Sequence, residues 1–158
     1  MAKVSARAFY AEYFGHDTTL LEPLLSELRR SSGTTECERS AIFLAGDSSL
    51  DNKFWFEDTR PALNGYEKML EPPVQKCDVA FWLNHEAVRR GRHDELFAIN
   101  TAVEATTLND RAFCRLLPQD AFIRRHITSK DVLIVSVGGN DLALAPGAFA
   151  RDVNPRTD

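Results

Sequence analysis

Cysteine is scarce and unpatterned in this chain of 158 residues. Cys37, Cys77 and Cys114 are odd in number, far apart and outside any C-x-x-C spacing. That excludes a disulfide framework and a thiolate zinc site, and leaves reduced structural thiols as the reading. Clustered basic charge is missing too. Lys and Arg number 19 against 23 Asp and Glu, mixed along the whole length with a net charge of -4. No stripe that would neutralise phosphates or anionic lipid is present, so nucleic acid and membrane-surface partners are disfavoured. No apolar run approaches the roughly 18 to 20 residues of a membrane span. The opening MAKVSARAFYAEYF lacks the apolar stretch of a secretory leader, which makes a cytoplasmic protein the default expectation. Walker A and dinucleotide glycine patterns are absent as well, so nucleotide phosphate binding has no local support.

What is present suits one globular domain: 44% of residues are apolar, and the length allows a real core. TTLLEPLLSELRRSSG (residues 18–33) has helical apolar spacing. Thr19 and Glu22 suggest a capping box, with Pro23 in the first turn and Arg29-Arg30 near the end. Ser40 to Ala45 is a short apolar run stopped by Gly46, as expected of a strand buried on both faces. Residues 51–73 show no clean period and read as an irregular excursion with a short helix near its start. VAFWLNHEAVRRG predicts a helix closed by Gly91, and ELFAIN a second strand. LNDRAFCRLL and AFIRRHI predict two helical pieces separated at Pro118. Asp131 to Val137 is the strongest strand signal, ending at Gly138-Gly139-Asn140-Asp141.

Alternating strands and helices predict a parallel α/β sheet with right-handed crossovers. In such sheets ligands bind outside the carboxyl ends of the strands. All three strands end in polar, turn-prone residues: GDSS, NTAVEATT and GGND. A serine becomes a nucleophile when a base takes its proton and donors stabilise the oxyanion that forms on the attacked carbonyl. Ser48 would be well presented just past a strand, its own N–H one such donor. Asp47 or Ser48 could instead simply cap a helix, a role that contributes about 1 kcal/mol. Asn140 could aim its amide at the same oxyanion, although Gly, Asn and Asp are also ordinary loop chemistry. Asn100 and Thr106-Thr107 are weaker candidates at the second strand end.

Taken together, strand-GDS, strand-N-x-x-x-x-x-T and strand-GGND in this order resemble the SGNH, or GDSL-type, serine hydrolases, over roughly residues 40 to 145. The resemblance implies a three-layer α/β/α, flavodoxin-like fold and a serine esterase or lipase acting on a small-molecule ester without a cofactor. It implies Ser48 as nucleophile, and Ser48, Ala105 and Asn140 as the oxyanion hole. Gly46, Asp47, Gly138, Gly139 and Asp141 would be supporting motif residues. Ala105 stands where the family's N-x-G-x-x-G stretch carries a glycine, so a positive φ there would strain its Cβ.

The family's late D-x-x-H has no counterpart after GGND. His16, His85, His93 and His126 all precede that motif, and none has aspartate three residues before it. The expectation is therefore a partial SGNH-like domain over 40–145, following a helical segment at 1–39 and preceding a disordered tail at 146–158. That domain would be incomplete at its carboxyl end, or a degenerate copy. The last strand would then present an apolar sheet edge capable of self-association. Two other readings remain: a non-catalytic α/β binding module, and a metallophosphoesterase-like phosphatase suggested by GDSSLD and GGND. The latter lacks the D-x-H element and the histidine of G-N-H-D that a dinuclear metal site would use.

Overall fold

A computed structural model describes residues 3–30, 38–112 and 116–144. The tail expected at 146–158, together with Gly33, Cys37 and Cys114, lies outside the described residues; Cys77 is free and half-buried. In chain order the elements are β1 (Val4–Ser5), α1 (Ala6–Phe9), α2 (Thr18–Arg29), β2 (Ser40–Gly46), β3 (Thr59–Pro61), α3 (Tyr66–Met69) and β4 (Leu70–Glu71). There follow β5 (Val74–Lys76), α4 (Val79–Arg89), β6 (Leu96–Asn100), α5 (Pro118–His126), β7 (Val132–Ser136) and α6 (Gly139–Leu144). None of the described helices is long and apolar enough to cross a membrane.

The central sheet has the order β6-β2-β7 and is parallel throughout, so the chain is an α/β protein. Its three strands are those expected from the apolar runs. β2 reads as continuously apolar because both its faces are covered. Phe43 and Ala45 join Phe97, Leu21, Leu24, Leu28 and Phe122 in one cluster, against α2 and α5. Leu44 joins Ala98 and Ala80 of α4 in a second cluster on the other face. Phe43, Leu44 and Phe97 are completely buried, each contributing roughly 1.5 to 3 kcal/mol. Val4 and Phe9 pack into the same cluster as Phe43, so the amino-terminal residues share the core of the strands. β7 pairs with β2 alone, its other edge being unpaired among the described residues. Val132, Leu133 and Val135 are 52%, 44% and 60% exposed.

Several local expectations are corrected. α2 is capped by Asp17, whose carboxylate accepts from the Thr19 N–H at 2.8 Å, rather than by a Thr19–Glu22 box. A helix starting at Thr18 places Pro23 in its interior rather than in its first turn. Asn109–Arg111 forms a 3₁₀ turn followed by extended Ala112, with residues 113–115 of the expected helical piece outside the described residues, and Pro118 begins α5, where its missing N–H costs nothing. The 51–73 excursion does carry a short 3₁₀ turn, Lys53–Trp55, near its start. It also supplies β3, which pairs antiparallel with β5, and β4, which pairs in parallel with β1.

The lower end of β7 is fixed by one carboxylate. Asp131, its side chain wholly buried, takes two bonds from the Arg29 guanidinium at 2.5 and 2.7 Å. It also accepts from the N–H groups of Ala41 and Thr128, both at 2.8 Å. Burial by itself would raise this acid, but Arg29 and those N–H donors outweigh it and hold the carboxyl well below the usual carboxylate range. A lowered folded-state value means that the stabilisation is complete above the unfolded value of about 3.9 and is lost as pH falls through the folded one. Asp131→Asn should lower stability at pH 7 by about 3 kcal/mol and flatten the acid limb below pH 4. Urea titrations between pH 3 and 7 measure both effects; an unchanged midpoint at pH 7 would remove the latch.

Candidate active site

The parallel register brings the three polar strand ends to one edge. Gly46 of β2 lies opposite Ser136 of β7, and Leu44 opposite Asn100 of β6. Gly46 has φ +146°, and a Cβ there would lie 1.7 Å from the Ser136 carbonyl oxygen, so β7 approaches β2 through the space where a side chain would be. The Gly46 carbonyl accepts from the Val103 N–H at 2.9 Å and the Arg111 guanidinium at 2.9 Å, with the Thr106 hydroxyl at 3.4 Å. Arg111 also donates to Thr106 Oγ1 at 2.8 Å and pairs with Asp120 at 3.0 Å. It staples the end of β2 to the loop after β6, a role the sequence reading missed.

Just beyond, Asp47 is buried and organises a turn. Its N–H donates to the Ser136 carbonyl at 3.0 Å, its Oδ1 accepts from the Ser49 N–H at 2.9 Å, and its carbonyl accepts from Leu50 and Asp51. The two serines differ. Ser49 donates through its hydroxyl to Ser136 Oγ at 2.7 Å. Ser48 is half-buried, and its hydroxyl makes no hydrogen bond among the described residues.

The loop after β6 comes to the same place. Ala105 has φ +58°, the left-handed conformation its glycine-like position suggested. Asn140, at the start of α6, donates through Nδ2 to the Thr106 carbonyl at 2.9 Å. An asparagine amide carries two N–H donors, so this bond orients the group and leaves one donor. Asp141 accepts from the Leu108 N–H at 2.9 and 3.0 Å. Gly138, at φ +121°, makes the bend between β7 and α6, and a Cβ on Gly139 would stand 3.9 Å from Asp47 Oδ2. Every motif residue therefore lies in one contiguous constellation. Asn100 is structural: its amide nitrogen reaches the Leu50 carbonyl and Asp78 at 3.2 Å each, and its oxygen accepts from the Ala102 N–H.

Beneath these loops is a buried polar floor that the sequence did not disclose. Lys53 and Asp51, both completely buried, pair at 2.7 Å. Burial raises Asp51, against the pull of Lys53. Asp78, which caps α4 by accepting from the Phe81 N–H, is pushed up to about 6, first by burial and despite its hydrogen bonds. Glu104 is completely buried, and neither of its carboxyl oxygens has a hydrogen-bond partner. Burial, then the charge of Asp51, raises it to about 7 against the opposing influence of Lys53, Lys76 and Trp55. The signal available in the sequence was its place beside Ala105 in an otherwise small and apolar segment.

The four histidines are engaged elsewhere. His16 is buried, stacked on Phe9 at 4.0 Å, and its Nδ1 faces the Phe9 carbonyl at 2.6 Å. Burial, then the Lys53 charge, lowers it to about 3, so it is a neutral core residue donating from Nδ1. His85 packs edge-on to Trp82 within α4, His93 faces Asp94, and His126 faces Glu22. Among the described residues no group of three or more His, Cys, Asp and Glu side chains is placed to hold a metal ion. Comparisons with protein-family models, with curated proteins and with solved structures returned no match.

Two outcomes follow from this geometry. Ala105→Gly should raise stability by about 1 kcal/mol, since it relieves the left-handed strain of a Cβ; a loss in chemical denaturation would show that the strain is absent. Glu104 has a folded-state value above its unfolded one. Its contribution is therefore full below the usual 4.5 and disappears as pH rises through about 7. Glu104→Gln should remove a pH-dependent loss on the order of 2 kcal/mol across that window. Denaturation midpoints from pH 4.5 to 8 test it, and parallel curves for the two proteins would refute it.

Proposed function

We propose that this chain carries the nucleophile and oxyanion hole of a serine ester hydrolase of the SGNH, or GDSL-type, class, on a flavodoxin-like α/β/α scaffold. Ser48 is the nucleophile. Its own N–H, the Ala105 N–H and the free donor of the Asn140 amide are the oxyanion donors. Gly46, Asp47, Gly138, Gly139 and Asp141 shape the loops that carry them. The observation that supports this most is the meeting of GDSS, the Ala105 loop and GGND at one sheet edge, with Ser48 the serine left unengaged while Ser49 is tied to β7. The substrate class is a small ester, whose developing oxyanion such N–H donors stabilise.

No histidine among the described residues supplies the base, so residues 1–158 by themselves should turn over an ester about four to six orders of magnitude more slowly than a complete triad. The engagement of all four histidines elsewhere also supports a second reading, a binding module that keeps the cleft without the chemistry. Labelling with a fluorophosphonate separates them. For the hydrolase, Ser48 is labelled slowly, imidazole added as an external base accelerates the labelling, and Ser48→Ala abolishes it. Asn140→Ala should slow it by about 10²-fold, as loss of an oxyanion donor does. Absence of labelling at Ser48 with and without imidazole would sink the hydrolase reading in favour of the binding module.

A further inference from the structure

Four aromatic rings meet at the surface on loops that adjoin the candidate active site. Tyr13 lies edge-on to Phe14, Phe54 and Trp55, with ring centroids 4.8, 5.1 and 6.4 Å away, and Phe54 lies edge-on to Trp55 at 5.6 Å. Edge-to-face pairs are favourable and hold the rings in a fixed mutual arrangement. Even so, Phe14, Phe54 and Trp55 are 63%, 47% and 66% exposed. The exposed Trp82 is different, because Arg60 covers its ring at 5.3 Å, whereas among the described residues no cation lies over these four. Single exposed apolar side chains need no explanation, but a contiguous exposed cluster marks a binding surface.

The two loops that carry the rings are fastened to those that form the site. Lys53 starts the 3₁₀ turn that ends at Trp55 and pairs with Asp51, whose N–H donates to the Asp47 carbonyl in the turn bearing Ser48. The Asp51 carboxylate also faces the backbone N–H groups of Gly15, next to Phe14, and of Glu104, next to Ala105. A Cβ on Gly15 would stand 3.0 Å from Val103 Cγ2 and 3.2 Å from the Ala102 carbonyl oxygen, so the Phe14 loop packs directly on the loop that ends at Ala105. The Trp55 side chain itself faces the Glu104 carboxyl. Asp51, Lys53 and Glu104 are completely buried, which leaves ring surface as what these residues offer to a ligand. Rings already fixed against one another lose little freedom when a chain settles on them. We infer that Tyr13, Phe14, Phe54 and Trp55 form a platform for the aliphatic chain of the ester cut at Ser48, which makes the substrate a longer-chain ester rather than an acetyl ester. The inference rests on the serine hydrolase reading for its chemistry and on the four rings for its specificity.

Two measurements test the platform and its link to Ser48 separately. Binding is read from tryptophan emission in a Ser48→Ala, Trp82→Phe protein, which cannot consume the ester through Ser48 and keeps Trp55 as its one tryptophan. Methyl octanoate should produce a saturable change and methyl acetate none. Reaction is read as the rate at which fluorophosphonates with an octyl or an ethyl chain label Ser48 in the presence of imidazole. The octyl probe should be about 10²-fold faster, each methylene withdrawn from water contributing about two- to fourfold. Trp55→Ala and Phe14→Ser, both at exposed positions, should each reduce that preference to about tenfold or less, while Val135→Ser on the exposed edge of β7 leaves it unchanged. Labelling indifferent to chain length, with no emission response to methyl octanoate, would overturn the platform and leave the hydrolase reading standing. A saturable response with no labelling of Ser48 would support the platform and refute the hydrolase reading. A chain-length preference unaltered in both Trp55→Ala and Phe14→Ser would overturn the proposal, as would a dimer in sedimentation that Trp55→Ala dissociates, since the rings would then be covered by a second copy.

Discussion

At Gly46 the chain must be bare. β7 runs so close to the end of β2 that a methyl group at this position would coincide with the Ser136 carbonyl, and the turn carrying Ser48 follows directly from that approach. The same residue's carbonyl gathers Val103, Thr106 and Arg111, so the loop after β6 is positioned by backbone and side-chain donors converging on one oxygen. Asn140 and Asp141 then attach α6 to that loop through Thr106 and Leu108. Close packing of two strands thus becomes a fixed arrangement of three loops, in which a backbone hydrogen-bond network defines the site before any side chain acts on a ligand.

Below the loops, charge is balanced locally. Lys53 offsets Asp51, while Asp78 and Glu104 are shifted toward their neutral forms by burial. Loss of water makes these groups sensitive to one another, because the attraction or repulsion between buried charges is weakly screened. The floor is therefore a set of coupled groups, and Ala105 rests directly on its least satisfied member.

The central strands were legible because their burial on both faces writes a continuous apolar run, and the polar strand ends were legible because parallel strands deliver their carboxyl ends to one side. Ala105 was readable only through a resemblance, which flagged a position where glycine would be expected. Other features left no such trace. The sequence shows Asp51, Lys53 and Glu104 as ordinary charges, and charges are normally solvated; only tertiary packing reveals their burial. Strands of two or three residues, such as β1 and β4, are too short to carry a period. At α2 both Asp17 and Thr19 are cap-forming residue types, and apolar spacing does not distinguish between them; the structure places the cap at Asp17.

The Asp131 latch also bears on how the molecule is put together. It joins Ala41 to a residue 90 positions further along the chain, and β2 can acquire its second neighbour only after that intervening length has been drawn in. Contacts of such separation exact a large loop-closure entropy and form slowly compared with local helices. Until then the central strand of the sheet has one flank open, and a carboxylate at the foot of β7 that seizes both the β2 backbone and the α2 guanidinium makes its docking hard to reverse.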